Sequence, residues 1–167
     1  MNRRSRGLTV IELMVTIAVA AILAGVAFPN MSDFIDRQRL VAQTLAISEL
    51  AQTARSEAIK RTGSGSHDSK LVTMTITPGP PWSVALDLAS KPYTVTATQC
   101  AGCTMTAVGS TVTFDFRGVA RTTAVDDTQI TLESPKGKKL RVNISRLGRV
   151  SICTPNGLVT GYVTCTS

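Results

Sequence analysis

Apolar and polar positions follow three regimes along the chain. From Leu8 to Phe28 the run is apolar with one charge, Glu12; as a helix it would be about 31 Å long, the thickness of a bilayer's hydrocarbon core. From Asn30 to Arg61, the residues Phe34, Ile35, Val41, Leu45, Ala51, Ala54 and Ala58 recur at spacings of three, four and seven. That pattern predicts an amphipathic helix with these residues on its buried stripe. Pro29 lies between the two stretches; a proline removes one helical hydrogen bond and bends the axis without having to end it. One long kinked helix is therefore expected, terminated by Gly63-Ser64-Gly65-Ser66.

Beyond Thr62 the period changes to two. Val72, Met74 and Ile76 alternate with threonines, and Trp82, Val84, Leu86 and Leu88 alternate with Ser83, Ala85 and Asp87. The segments Tyr93-Val95-Ala97, Val112-Phe114-Phe116, Ile130-Leu132 and Leu140-Val142-Ile144 continue the alternation. Residues 62–167 contain 19 Thr and 11 Val, a β-branched enrichment that supports strands. Pro and Gly punctuate them at Pro78-Gly79-Pro80-Pro81, Arg117-Gly118, Pro135-Lys136-Gly137 and Gly148. The expected class is α+β: a long N-terminal helix packed by its second half on one or two antiparallel sheets.

The chain has 167 residues, 43% hydrophobic and 17% charged, enough apolar surface for a core. Its net charge of +7 falls to +4 without Arg3, Arg4 and Arg6, which precede the apolar run. Their position puts the N-terminus in the cytoplasm and the bulk of the chain outside. An ordinary secretory signal with a cut after Ala27 would also explain the run, Gly25 and Ala27 supplying small residues. Glu12 argues against it, as does the helical periodicity that continues past the supposed cut. A carboxylate in a membrane costs a few kcal/mol unless protonated or paired, which demands a cationic partner. Cleavage after Gly7 would supply one, the new α-amino group of Leu8, on the same chain or a neighbour.

His67 is the only histidine, so histidine catalysis and multi-histidine metal sites are largely excluded. No nucleophile–base pair, phosphate loop or metal-ligand helix occurs; no catalysis, cofactor or metal is expected. The four cysteines, Cys100, Cys103, Cys153 and Cys165, allow three disulfide connectivities. Pairing Cys100 with Cys103 and Cys153 with Cys165 is favoured, because the second bond would staple the C-terminal tail to a strand. A redox Cys-Ala-Gly-Cys motif would need a strand-to-helix context, and this one lies between threonine-rich β segments. A four-cysteine zinc site fits the count but not the twelve-residue spacing of the second pair.

One basic cluster stands out. Lys136, Lys138, Lys139, Arg141, Arg146 and Arg149 occupy fourteen positions without an acid. In a strand 139–145, Lys139, Arg141 and Asn143 would share the solvent face, and Arg146 and Arg149 would sit in the following turn. Such a cluster can neutralise successive phosphates of double-stranded DNA without reading sequence. It can also face acidic partner subunits, or be no more than a solvated edge strand guarded by lysine.

The run Gly7-Leu8-Thr9-Val10-Ile11-Glu12-Leu13-Met14-Val15-Thr16-Ile17-Ala18 resembles the N-terminal signature of type IV pilins and type II secretion pseudopilins. Arg55-Ser56-Glu57-Ala58-Ile59-Lys60-Arg61 is similar to the helix end of the GspH/FimT (FimT/FimU-type) minor pilins. The resemblance implies a leader 1–7 removed by prepilin peptidase after Gly7, methylation of Leu8 where the family usually has Phe, and pairing of Glu12 with a neighbour's amine. It further implies a filament-core helix 8–29 with a kink at Pro29, its amphipathic continuation 30–61, and an exported β domain 62–167. Such a chain would first sit in the bacterial inner membrane with its C-terminus periplasmic, then move to a pilus or pseudopilus. Its partners would be other pilin subunits and the assembly platform. Some FimT-type pilins bind DNA through a Gly-Arg-x-Arg motif; here Gly148-Arg149-Val150-Ser151 has serine at the last position. The expected function is that of a minor pilin acting in assembly, with DNA uptake as an added role and a minor pseudopilin of type II secretion as the alternative.

Overall fold

The computed structural model describes residues 9–61, 71–88 and 92–166, apart from the side chains of 26–30. Helix α1, Val10–Lys60, runs through Pro29 without ending there. The expected stop at Gly63–Ser66 lies outside the described residues, as do Gly7 and Leu8. Two compact units divide the chain, one up to Ile35 and one from Asp36 onward. In the first, Val10, Ile11, Leu13, Met14, Val15, Ile17, Val19, Ile22 and Leu23 are all exposed. Among the described residues no helix is long and apolar enough to cross a membrane; the apolar run Leu8–Phe28 extends beyond its fully described part at both ends.

The second unit holds nine strands: β1 Val72–Thr77, β2 Ser83–Leu86, β3 Tyr93–Thr96, β4 Thr104–Val108, β5 Thr111–Phe114, β6 Ala120–Thr122, β7 Thr128–Glu133, β8 Lys139–Ile144 and β9 Val150–Cys153. They form two antiparallel sheets, in the orders β3-β2-β1-β5-β6 and β4-β7-β8-β9. A short 3-10 turn, Ala97–Gln99, carries the chain from the first sheet to the second. Ala97 thus belongs to this connection rather than to the strand its alternation suggested.

The helix buries Leu40, Gln43, Thr44, Ile47, Ser48, Leu50, Ala51, Ala54 and Ala58. This corrects the stripe read from apolar residues alone, since Phe34 and Leu45 are 54% and 48% exposed and Ile35 is exposed too. The buried face is instead centred on Leu40, Thr44, Ile47, Ala51, Ala54 and Ala58. Thr44 satisfies its hydroxyl by donating to the Leu40 carbonyl at 2.8 Å, so polarity there need not mark solvent exposure. Alternate residues of both sheets complete one core: Met74, Ile76, Val84, Leu86, Val112 and Phe114 from the first, and Met105, Ile130, Leu132, Leu140, Val142 and Ile144 from the second. Each fully buried side chain of this kind contributes about 1.5–3 kcal/mol.

Three hairpins share one turn device, written Asp/Ser-x-x-Gly. In Asp115–Gly118, Ser134–Gly137 and Ser145–Gly148 the glycine N–H donates to the carbonyl of the first residue at 2.8–2.9 Å. Each glycine has a positive φ, 74–76° in the first two and 73° in the third, which only glycine adopts without strain. The first residue's side chain then accepts the N–H four positions on: Asp115 Oδ1 from Val119, Ser134 Oγ from Lys138 and Ser145 Oγ from Arg149. In the first turn this puts Asp115, rather than Phe116, into the interior and breaks the expected Val112-Phe114-Phe116 alternation.

The cysteines are joined as Cys100–Cys103 and Cys153–Cys165. The first pair is buried in the connection between the sheets, where the Cys103 carbonyl accepts the Trp82 indole N–H at 3.0 Å. The second ties the end of β9 to the C-terminal segment, which Arg37 also holds by donating to the Thr160 carbonyl at 2.6 Å.

Candidate functional site

Two regions carry the residues singled out from sequence. At the start of α1, Thr9 precedes the first helical residue, and its Oγ1 accepts the Glu12 N–H at 3.4 Å. Thr-x-x-Glu is the spacing of a capping box, and a carboxylate in the first turn complements the helix dipole. In this bond Glu12 uses its backbone N–H, and its carboxylate stands in the first turn at the positive end of the helix.

The basic residues do not form one cluster. Lys136 and Lys138 sit in the β7–β8 turn, Arg146 and Arg149 in the β8–β9 turn, at opposite ends of a six-residue strand about 20 Å long. Between them Lys139, Arg141 and Asn143 do lie opposite the buried Leu140, Val142 and Ile144. The strand is interior, flanked by β7 and β9, so the edge-strand reading fails. Folding also brings acids to it that the local sequence lacks. Lys139 faces Glu133 across the ladder, with Nζ 3.1 Å from Oε2. Asn143 donates to Asp127 at 3.2 Å, and the Arg146 N–H reaches the other Asp127 oxygen at 3.4 Å. Arg141 donates to Thr131 Oγ1 at 3.2 Å beside the Cys153–Cys165 bond, and the Arg146 guanidinium donates to the Val125 carbonyl. The Glu133–Lys139 pair was legible from the hairpin, because Ser134–Gly137 fixes the register.

At the β8–β9 end a groove of about 430 Å³ opens between this turn and α1, lined by Gln52, Arg55, Ser56, Ile59, Gly148, Arg149 and Val150. Arg55, near the end of α1, donates from Nε to the Gly118 carbonyl at 3.2 Å. Gly148 is pressed against that same carbonyl: a Cβ on it would lie 2.0 Å from the oxygen. The two glycine turns are thus stacked beside Arg55, and this positions Arg149. The Arg149 guanidinium is exposed and makes no ion pair or hydrogen bond among the described residues.

Asp115 anchors the lower turn. It is 3% exposed, accepts the N–H groups of Arg117 and Val119 at 2.9 and 3.1 Å, and pairs with the Arg117 guanidinium at 3.2 Å. Burial by itself would raise its carboxyl, but the Val119 and Arg117 N–H groups and the Arg117 charge outweigh burial and hold it below the usual carboxylate range. A depressed folded-state value means stability that is present above about pH 3.9, the unfolded value, and is lost as pH falls through the folded one. Asp115→Asn is expected to cost about 1.5–3 kcal/mol at neutral pH, with the gap from the parent closing as pH falls below 4. Thermal melts between pH 2 and 7 measure this; a gap independent of pH would contradict it.

With this geometry in place, residues 2–28, which contain Gly7, Leu8 and Glu12, match the prokaryotic N-terminal methylation motif. No curated protein sequence matches the chain. Among solved structures it is similar to the type IV minor pilin FimU of Pseudomonas aeruginosa (strain PAO1), at 18% identity and a TM-score of 0.53, over 71% of this chain and 91% of that one. The chain therefore carries a prepilin-type methylation motif at its N-terminus and a fold similar to that of a type IV minor pilin. The likeness to that structure lies in the fold, a long helix packed on antiparallel sheets.

Proposed function

We propose that the chain is a minor pilin of a type IV pilus: inserted in the inner membrane, cut by prepilin peptidase after Gly7, methylated on Leu8, and incorporated into the filament through residues 8–29, with Pro29 bending the helix. The observation that carries this is the methylation motif leading directly into a helix that exposes an apolar surface from Val10 to Leu23, interrupted by the one charge, Glu12. Such a surface is stable only in lipid or against other helices. The exported β domain, 62–167, and the helix segment 30–61 that it packs on would form the outer part of the filament. The minor pseudopilin reading shares these features, and no observation favours it.

Filaments sheared from cells should contain the chain. A Gly7→Val variant should keep its leader and be missing from them; a leaderless Gly7→Val chain in the filament fraction would remove Gly7 from the cleavage site.

A second reading, capture of double-stranded DNA, has one observation behind it: Arg146 and Arg149 are both exposed at one turn, next to Arg55. Since Lys139 is paired and Lys136 and Lys138 lie at the far end of β8, about two phosphates could be neutralised there. By fluorescence anisotropy of the detergent-solubilised chain, log K should then fall with log salt at a slope of about −2. Binding should vanish in Arg146→Ala/Arg149→Ala and survive Lys136→Ala/Lys138→Ala. Equal losses in both variants would restore the six-residue cluster.

A further inference from the structure

Helix α1 carries opposite charge on its two flanks. On one, Arg55 and the partnerless Arg149 line the groove whose walls include Ile59 and Val150. On the other, Glu49 stands beside Tyr93 at the edge of the first sheet, where Ala46, Leu50 and Thr53 of the helix line a second groove of about 390 Å³. Glu49 is exposed and has no ion pair or hydrogen bond among the described residues. Tyr93 and Ile59 are each 43% exposed, so each flank pairs a charge with an apolar surface.

We propose that these flanks dock on one another between two copies of this chain, the Arg55–Arg149 groove of one copy receiving Glu49 of the next, with Tyr93 resting on Ile59 and Val150. This rests on the reading of the chain as a filament subunit. The groove suits a single carboxylate better than a polyanion, because two cations near it are neutralised by acids: Arg117 by Asp115 and Lys60 by Glu57. A run of phosphates would find one or two cations and an apolar wall, whereas one carboxylate beside an aromatic ring finds a counterpart for each group. The surfaces are different patches of the same molecule, so the contact is heterologous and propagates instead of closing into a pair. Glu49 and Arg55 are six residues apart, so successive copies would be offset by about 9 Å along the helix.

The test is self-association of the full chain in phosphatidylcholine vesicles, read by energy transfer between C-terminally labelled donor and acceptor copies, at low and high salt. Glu49→Gln and Arg149→Gln should each weaken association about fivefold at low salt, and the double variant should be no weaker than either single one, the signature of a direct pair. Asp87→Asn, at another exposed acid, should change nothing. Additive losses in the double variant, an equal loss in Asp87→Asn, or unchanged association in both single variants would overturn the proposal. So would loss of DNA binding in Arg149→Gln with association intact, which would assign the groove to phosphate. Because the readout does not depend on cleavage or on filaments, its failure is distinguishable from failure of the pilin reading, which the sheared-filament fraction reports.

Discussion

Replacing Gly148 by alanine is expected to destabilise the fold by about 2–5 kcal/mol. A positive φ costs an L-residue about 1–2 kcal/mol, and forcing extra volume into a packed contact costs about 1–3 more. Both apply at Gly148, where φ is 73° and a Cβ would sit 2.0 Å from the Gly118 carbonyl oxygen, which is backbone and cannot swing aside. The Arg55–Gly118 hydrogen bond would be displaced with it. Gly137 supplies the control: its φ is 74°, in the same turn type, but nothing lies within 4 Å of its Cβ position. Gly137→Ala should therefore cost only the conformational part, about 1–2 kcal/mol. Chemical denaturation of the two variants and the parent measures the difference; equal losses would mean that the stacking of the two turns contributes nothing.

Glu12→Ala is expected to abolish incorporation into filaments while leaving insertion and processing intact. An unpaired carboxylate among packed apolar helices opposes every register except the one that brings a cation to it. The capping geometry at Thr9 offers a rival explanation, in which Glu12 only secures the first turn of α1. Glu12→Gln separates the two. Glutamine serves a capping box as well as glutamate but carries no charge, so pairing predicts that this variant also fails to enter filaments, whereas capping predicts that it enters normally. The amount of processed chain in the sheared-filament and membrane fractions decides between them.

Much of the fold was legible in the sequence because its periods are clean. The switch from helical to alternating spacing near Thr62 and the glycine turns at 118, 137 and 148 follow from local chemistry. The helix stripe was less so: the buried face of α1 is made of Ala, Thr, Ser and Gln as much as Leu and Ile, and hydrophobicity does not pick those residues out. Phe34, Ile35 and Leu45 attracted attention by hydrophobicity alone and turned out exposed. The short strands β4 and β6 gave no separate signal, since three to five residues rich in threonine are too few to show a period. The basic cluster misled for a different reason. Linear spacing says nothing about which end of a hairpin a residue occupies, and Glu133 and Asp127 reach β8 only through pairing and loop closure. Arg55 was invisible as a site residue because its partners, Gly118 and Gly148, are 63 and more positions away.

The mass of the chain recovered from surface filaments is the most direct test of processing and incorporation as a pilin subunit. The expected species begins at Leu8 with a methylated α-amino group and both disulfides, and the Gly7→Val chain stays at full length in the membrane fraction. A mature chain beginning after Ala27, or a full-length chain in the filaments, would contradict it.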